Sequence, residues 1–184
     1  MIFMLKKNMN KGFTLIELLV VITIIAVLAG VVLVALDPLE RVRESRDSRR
    51  QQDLQNVRQA LDLALTDSEI VLAGDTTTSA TGASNTDGGV IDAVAGGAVN
   101  TGWVKFTVPT GMEGMQRYIP SLPLDPQGVN APCAGGYLFA SDGTKYELNT
   151  CFETTKFQAL YTTDGGSDVA VYEIGNGPGL TTIP

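Results

Sequence analysis

Histidine is absent from all 184 residues, and cysteine and tryptophan occur only twice and once. Without imidazole the chain lacks the commonest general base, the usual nucleophilic triads and the usual zinc ligands. No glycine-rich phosphate loop, clustered metal-ligand motif or nucleophile elbow takes their place, so the sequence does not read as an enzyme. Positive charge is also scarce: 13 Lys and Arg stand against 20 Asp and Glu, a net of −7. Charge is scarcest between Phe13 and Leu36, where Glu17 is the one ionisable side chain in FTLIELLVVITIIAVLAGVVLVAL.

What is present begins with that run. At about 1.5 Å per residue a helix of this length spans about 36 Å, enough to cross a bilayer. The preceding leader, MIFMLKKNMNKG, carries Lys6, Lys7 and Lys11 and no acid. Met1, Met4 and Met9 would each start a basic leader. A secretory signal peptide has a shorter apolar region and a small-residue cleavage site, and neither fits here. An ordinary signal anchor fits the length but leaves Glu17 without a reason. A carboxylate inside a span costs about 2.5–3.5 kcal/mol on insertion scales, which points to a partner.

The string KGFTLIELLVVITIIAVLAG resembles the leader junction and first helix of type IV prepilins and of type II secretion pseudopilins. The resemblance is tight over about the first 65 residues and looser beyond. It implies a structural subunit that is cut after Gly12 by an aspartic prepilin peptidase and methylated on the new amine of Phe13. An inner-membrane assembly platform would then add it to a helical homopolymer. The implied fold is α+β, a long N-terminal helix packed on a C-terminal antiparallel sheet. The implied layout is leader 1–12, membrane and filament-core helix 13–36, amphipathic helix 37–73, αβ loop 74–102 and sheet head 103–184. Within the family a surface pilus is favoured over a secretion pseudopilus. A membrane-anchored adhesin or receptor that never polymerises is the rival outside it.

The residues supply a mechanism for assembly. On a helix, Phe13 and Glu17 would share one face. Cleavage turns an amide into an ammonium with a reference pKa near 8. In a filament of staggered parallel helices, the Glu17 carboxylate of one subunit can meet the Phe13 ammonium of the next. The motif places the N-terminus in the cytoplasm, although Arg41, Arg43, Arg46, Arg49 and Arg50 after the span argue the other way.

Beyond the span the chain is highly charged but still helical in pattern. Asp37 and Arg41, Arg43 and Asp47, and Arg49 and Asp53 are opposite charges four apart. Leu54, Val57, Leu61 and Leu65 form a buried stripe, and Pro38 is expected to kink or loosen the helix. The arginines do not read as a nucleic-acid site: five face four acids between Asp37 and Arg50, and no aromatic residue interleaves. A solvated or subunit-bridging face is expected instead.

Gly74 to Gly102 is rich in Gly, Ser and Thr and reads as a surface loop, with an apolar patch at Val90 to Val94. WVKFTV reads as a half-buried strand with Val104, Phe106 and Val108 inward, and a helical turn is expected within Gly111 to Ile119. Asp142-Gly143 is a hairpin signal. A two-residue loop would pair Ser141 with Thr144, Phe139 with Tyr146 and Tyr137 with Leu148, leaving Lys145 and Glu147 facing water. A second hairpin is expected from Lys156–Tyr161 and Asp168–Ile174.

In a head outside the cytoplasm, Cys133 and Cys151 suggest a disulfide across the ends of the first hairpin, with a bulge at Gly135 and Gly136 adjusting the register. Two buried free thiols or a metal site are the alternatives, and two cysteines without histidine make a poor zinc site. The string LPLDPQG resembles a pseudopilin segment, and on that resemblance Asp125 and Asp142 are candidate ligands for a structural Ca²⁺. Both also have turn-forming explanations.

Overall fold

The computed structural model describes residues 12–74, 80–93 and 95–177, and the side chains of 34–36 and 80 are outside that description. The leader lysines and Val94 therefore lie outside the described residues. The chain divides between Leu39 and Glu40 into two compact units.

The first unit is helix α1, Leu15–Leu36. Its run of Val, Ile and Leu presents no polar face, and every described side chain from Phe13 to Leu33 is exposed. The helix that begins at Leu15 contains a stretch long and apolar enough to cross a membrane. In lipid such a segment must satisfy its own backbone groups, which a helix does. The interruption expected at Pro38 falls one residue earlier: Asp37 adopts a left-handed φ of 34°, and Pro38 opens helix α2, Pro38–Thr66. Proline suits a first helical position because its missing N–H has no partner there anyway.

The second unit is a head built around α2. Leu54, Val57, Leu61 and Ala64 are buried at alternating spacings of three and four, so Ala64 takes the buried place expected of Leu65, which is only partly buried against the core. Strand β1 (Val71–Leu72) pairs antiparallel with β3 (Phe106–Thr107). A four-stranded antiparallel sheet has the order β2 (Ala80–Ala83), β4 (Leu138–Ser141), β5 (Tyr146–Thr150), β6 (Tyr172–Gly175). The stripe on α2 and Tyr137, Phe139, Tyr146, Leu148 and Ile174 belong to one apolar core. Tyrosines tie the sheet to the helix, with Tyr137 Oη donating to Asp53 (2.8 Å) and Tyr146 Oη to Asp62 (2.5 Å).

Several strand expectations are corrected. The segment expected to be a loop contributes the edge strand β2 and a short helix α3, Ser84–Asp87. Of WVKFTV only Phe106–Thr107 is strand, and Trp103 is fully buried, its Nε1 donating to the Pro123 carbonyl at 3.0 Å. The approach of its neighbours explains the irregular backbone: a Cβ on Gly102 would lie 2.0 Å from the Val90 carbonyl oxygen. The helical turn expected nearby is a 3₁₀ turn at Met115–Arg117.

The hairpin forms with a different register. Phe139 pairs with Leu148 and Ser141 with Tyr146, a slip of two residues from the expected pairing. Its loop has four residues because Asp142 accepts bonds from the Thr144 and Lys145 amides, at 2.8 and 2.7 Å, around Gly143 at φ 86°. A slip of two preserves the faces, so Tyr137, Phe139, Tyr146 and Leu148 still point to the core. Glu147 does not face water; it is fully buried, as are Asn149 and Glu173 to within a few per cent. The expected bulge is a turn, with Gly135 and Gly136 at φ 100° and 78° and the Gly136 amide donating to Cys133 O at 3.1 Å.

The second hairpin does not form. Helix α4 (Thr155–Gln158) and a 3₁₀ turn at Ala159–Thr162 occupy its first arm, and only β6 joins the sheet. Phe157, Leu160 and Tyr161 stand at helical spacing, which lets Phe157 and Tyr161 meet Phe152 at ring-centroid distances of 5.4 and 5.8 Å.

Candidate processing and assembly site

Thr14 begins α1 as its N-cap, in extended conformation. Its Oγ1 accepts from the Glu17 amide at 3.3 Å, while Glu17 Oε2 accepts from the Thr14 amide at 3.0 Å and from Thr14 Oγ1 at 2.9 Å. This is a reciprocal capping box, in which threonine and glutamate three apart satisfy two backbone donors that a helix start leaves open. The Thr-x-x-Glu spacing that marks this box is legible in the sequence itself. It moves Phe13 out of the helix, so Phe13 and Glu17 do not share a helical face as expected. Phe13 is instead the residue before the cap, outside the helix, and is 86% exposed. No atom lies within 4 Å of a Cβ built on Gly12. Gly12 and Phe13 are both exposed, and Glu17 is satisfied within its own chain.

The head contains a second concentration of charge, on α2. Arg50 is fully buried and uses all five of its N–H donors. Nε and Nη2 hold Asp125 at 2.7 and 3.2 Å, Nη1 holds Asp47 and Glu153 at 2.8 Å each, and Nη2 also donates to Gln127 Oε1 at 2.7 Å. Asp47, also fully buried, accepts from the Glu153 and Thr154 amides and from Thr154 Oγ1. Arg46 grips Glu153 from the other side at 2.7 and 2.5 Å. The Arg46 hydrogen bonds, with those of Arg50, hold the Glu153 carboxyl well below its ordinary value, at about 2. Burial opposes the charge on Arg50, but its bonds to Asp125, Glu153 and Asp47 more than compensate and keep it cationic.

The expected arginine face is therefore corrected in part. Arg41, Arg43 and Arg49 are exposed and pair with Glu44, Glu40 and Asp53, whereas Arg46 and Arg50 turn into the head. The expected Arg43–Asp47 pair gives way to Asp47–Arg50 because Asp47 lies on the inward face. Extending the apolar stripe of α2 backward by four and three residues from Leu54 lands on Arg50 and Asp47, a signal that would have found them.

The two calcium candidates have separate protein partners. Asp125 holds Arg50 and the Gln127 amide, and Asp142 closes the β4–β5 loop, whose amides lower its pKa. A cation at Asp125 would have to displace a buried guanidinium. Cys133 and Cys151 form a disulfide with a Cα–Cα distance of 5.2 Å.

Residues 7–33 match the family described as the prokaryotic N-terminal methylation motif. No curated protein and no solved structure matches the chain. The matched segment contains the junction Gly12–Phe13, the capping box and most of α1, and it ends before the head begins.

Proposed function

From a chain that carries the N-terminal methylation motif of type IV pilin-like and pseudopilin precursors, we propose a structural subunit that works by polymerising through α1. Prepilin peptidase cuts after Gly12, the Phe13 amine is methylated, and the assembly platform draws the subunit from the cytoplasmic membrane into a pilus-like filament. The precursor sits with its N-terminus inside and its head outside.

The observation that carries this reading is the exposed apolar surface of α1 over its described side chains, beside an exposed Gly12 and Phe13. A helix apolar on every side has lipid or other such helices as its stable surroundings. Glu17, satisfied by Thr14 while the subunit is alone, exchanges that partner for the Phe13 ammonium of a neighbour in the filament. The pair removes two isolated charges from an apolar core and so favours the docked register. N-terminal sequencing and intact mass of the mature protein test the processing, with a methylated Phe13 as the expected start. Retention of residues 1–12 would overturn it. Glu17→Ala is expected to insert in the membrane normally and to abolish filaments, and normal filaments from that variant would remove Glu17 from assembly.

A second reading, the subunit of a type II secretion pseudopilus, is favoured by the LPLDPQG string around Asp125. Deletion of the gene separates the two: loss of surface fibres supports the pilus, and loss of protein secretion with fibres intact supports the pseudopilus.

A further inference from the structure

The head grips α2 in two chemically different ways. From Leu54 to Ala64 the buried residues of α2 are Leu54, Val57, Ala60, Leu61 and Ala64, all apolar. Before Leu54 the only buried residues of α2 are Asp47 and Arg50. That earlier stretch is held by polar contacts with three parts of the head. Asp125 and Gln127 hold Arg50, Glu153 and Thr154 hold Arg46, Asp47 and Arg50, and Lys156 meets Glu44 at 3.6 Å. Asp53 adds the bond from Tyr137 Oη.

The disulfide has a specific place in this arrangement. The segment from Asp125 leads into Cys133 before β4, and Cys151 leaves β5 two residues before Glu153. These are the two open ends of the β4–β5 hairpin, and they carry the four residues that close on Asp47 and Arg50. A covalent link there keeps the ends from fraying, so the chain entropy of positioning both sets of ligands is already lost before they reach α2.

We propose that the Cys133–Cys151 disulfide and the Arg50-centred cluster are one clasp, which releases α2 residues 44–53 from the head when the disulfide is reduced while residues 54–64 stay packed. A dithiol opens it by giving two electrons and two protons to the S–S bond, leaving two cysteine thiols and a cyclic disulfide. The reverse exchange, in which the thiols pass two electrons and two protons to the disulfide of an oxidised carrier, closes it. The device belongs to the head alone and holds whether or not the chain polymerises.

Hydrogen exchange on the full chain in detergent micelles, with and without dithiothreitol, reads the two grips separately. Reduction is expected to speed exchange of α2 amides 44–53 and of the Gln127, Glu153 and Thr154 amides by about tenfold or more beyond any change at 54–64, which reports the global stability of the head. Equal acceleration of 54–64 would mean the head opens as a whole, and unchanged exchange at 44–53 would mean the disulfide is not coupled to the cluster; either result overturns the proposal. Arg50→Met should reproduce the reduced pattern in the oxidised protein, with reduction adding less than about twofold more. A full tenfold effect of reduction on that variant would refute the coupling. If Arg50→Met does not fold, Glu153→Gln carries the same test, because it removes the anion shared by Arg46 and Arg50 while keeping the side-chain volume.

Discussion

Arg50 and Glu17 are both charges in surroundings that penalise charge, and they are stabilised by different means. Glu17 is satisfied by one neighbour three residues away, which leaves the carboxylate free to change partner. Arg50 is satisfied by four residues from three stretches of chain, which fixes it. Removing one member of a buried ionic group strands the others, at about 3–5 kcal/mol. Arg50→Ala is therefore expected to destabilise the head by that amount in urea titrations followed by the fluorescence of Trp103, the single and fully buried tryptophan. Glu153 gives this cluster an acid limit. Its carboxyl falls from 4.5 to about 2 on folding, so the stability it contributes is fully present above pH 4.5 and is lost as pH falls toward 2. The amount is about 3 kcal/mol, and Glu153→Gln should flatten the loss of midpoint across that window. The tyrosines set the alkaline side. Folding raises the Tyr118 hydroxyl from 10.0 to about 12 through its bond to Asp67, so stability declines as pH rises from 10 toward 12.

At the scale of elements, the sequence marked the apolar half of α2 and the core-facing side of the β4–β5 hairpin, because both depend on period alone, while the side expected to face water carries the buried Glu147. It did not reveal the polar half of α2, where an inward arginine and aspartate look like surface charge until the stripe is extended backward. Nor did period settle the loop of the hairpin, since Asp142 bonding to two later amides stretches the turn by two residues without changing which side chains face inward. The segment from 80 to 108 was the least legible. Its backbone is set by close approaches rather than by patterned side chains, and Asn100 bonds the Val90 and Val104 carbonyls and the Asp92 amide from the middle of it. Gly102 is the tightest point, and Gly102→Ala must push the Val90 carbonyl away from a Cβ 2.0 Å distant. A loss of about 1–3 kcal/mol is expected, with Trp103 fluorescence shifting to the red as its cover loosens.

For the whole molecule, the division near Leu39 separates two kinds of stability. Among the described residues, every member of the apolar core lies at or beyond Leu54. The candidate processing site rests on Gly12, Phe13 and Glu17 as members of a linear motif, whereas the clasp joins Asp47 and Arg50, which helical period alone turns inward, to partners up to 107 positions away that period does not pick out. A chain beginning at Glu40 carries ten basic and eighteen acidic residues, a net of −8, together with the whole core, the disulfide and the charge cluster. It lacks residues 1–39, and with them the exposed apolar helix α1. Such a fragment is expected to be a soluble monomer that melts cooperatively, with the oxidised form more stable by about 3 kcal/mol than its Cys133→Ala/Cys151→Ala variant. Sedimentation and thermal unfolding check both parts. Aggregation or non-cooperative melting of the fragment would mean that α1 supports the head, and the separation of an apolar helix from a self-sufficient head would then fail.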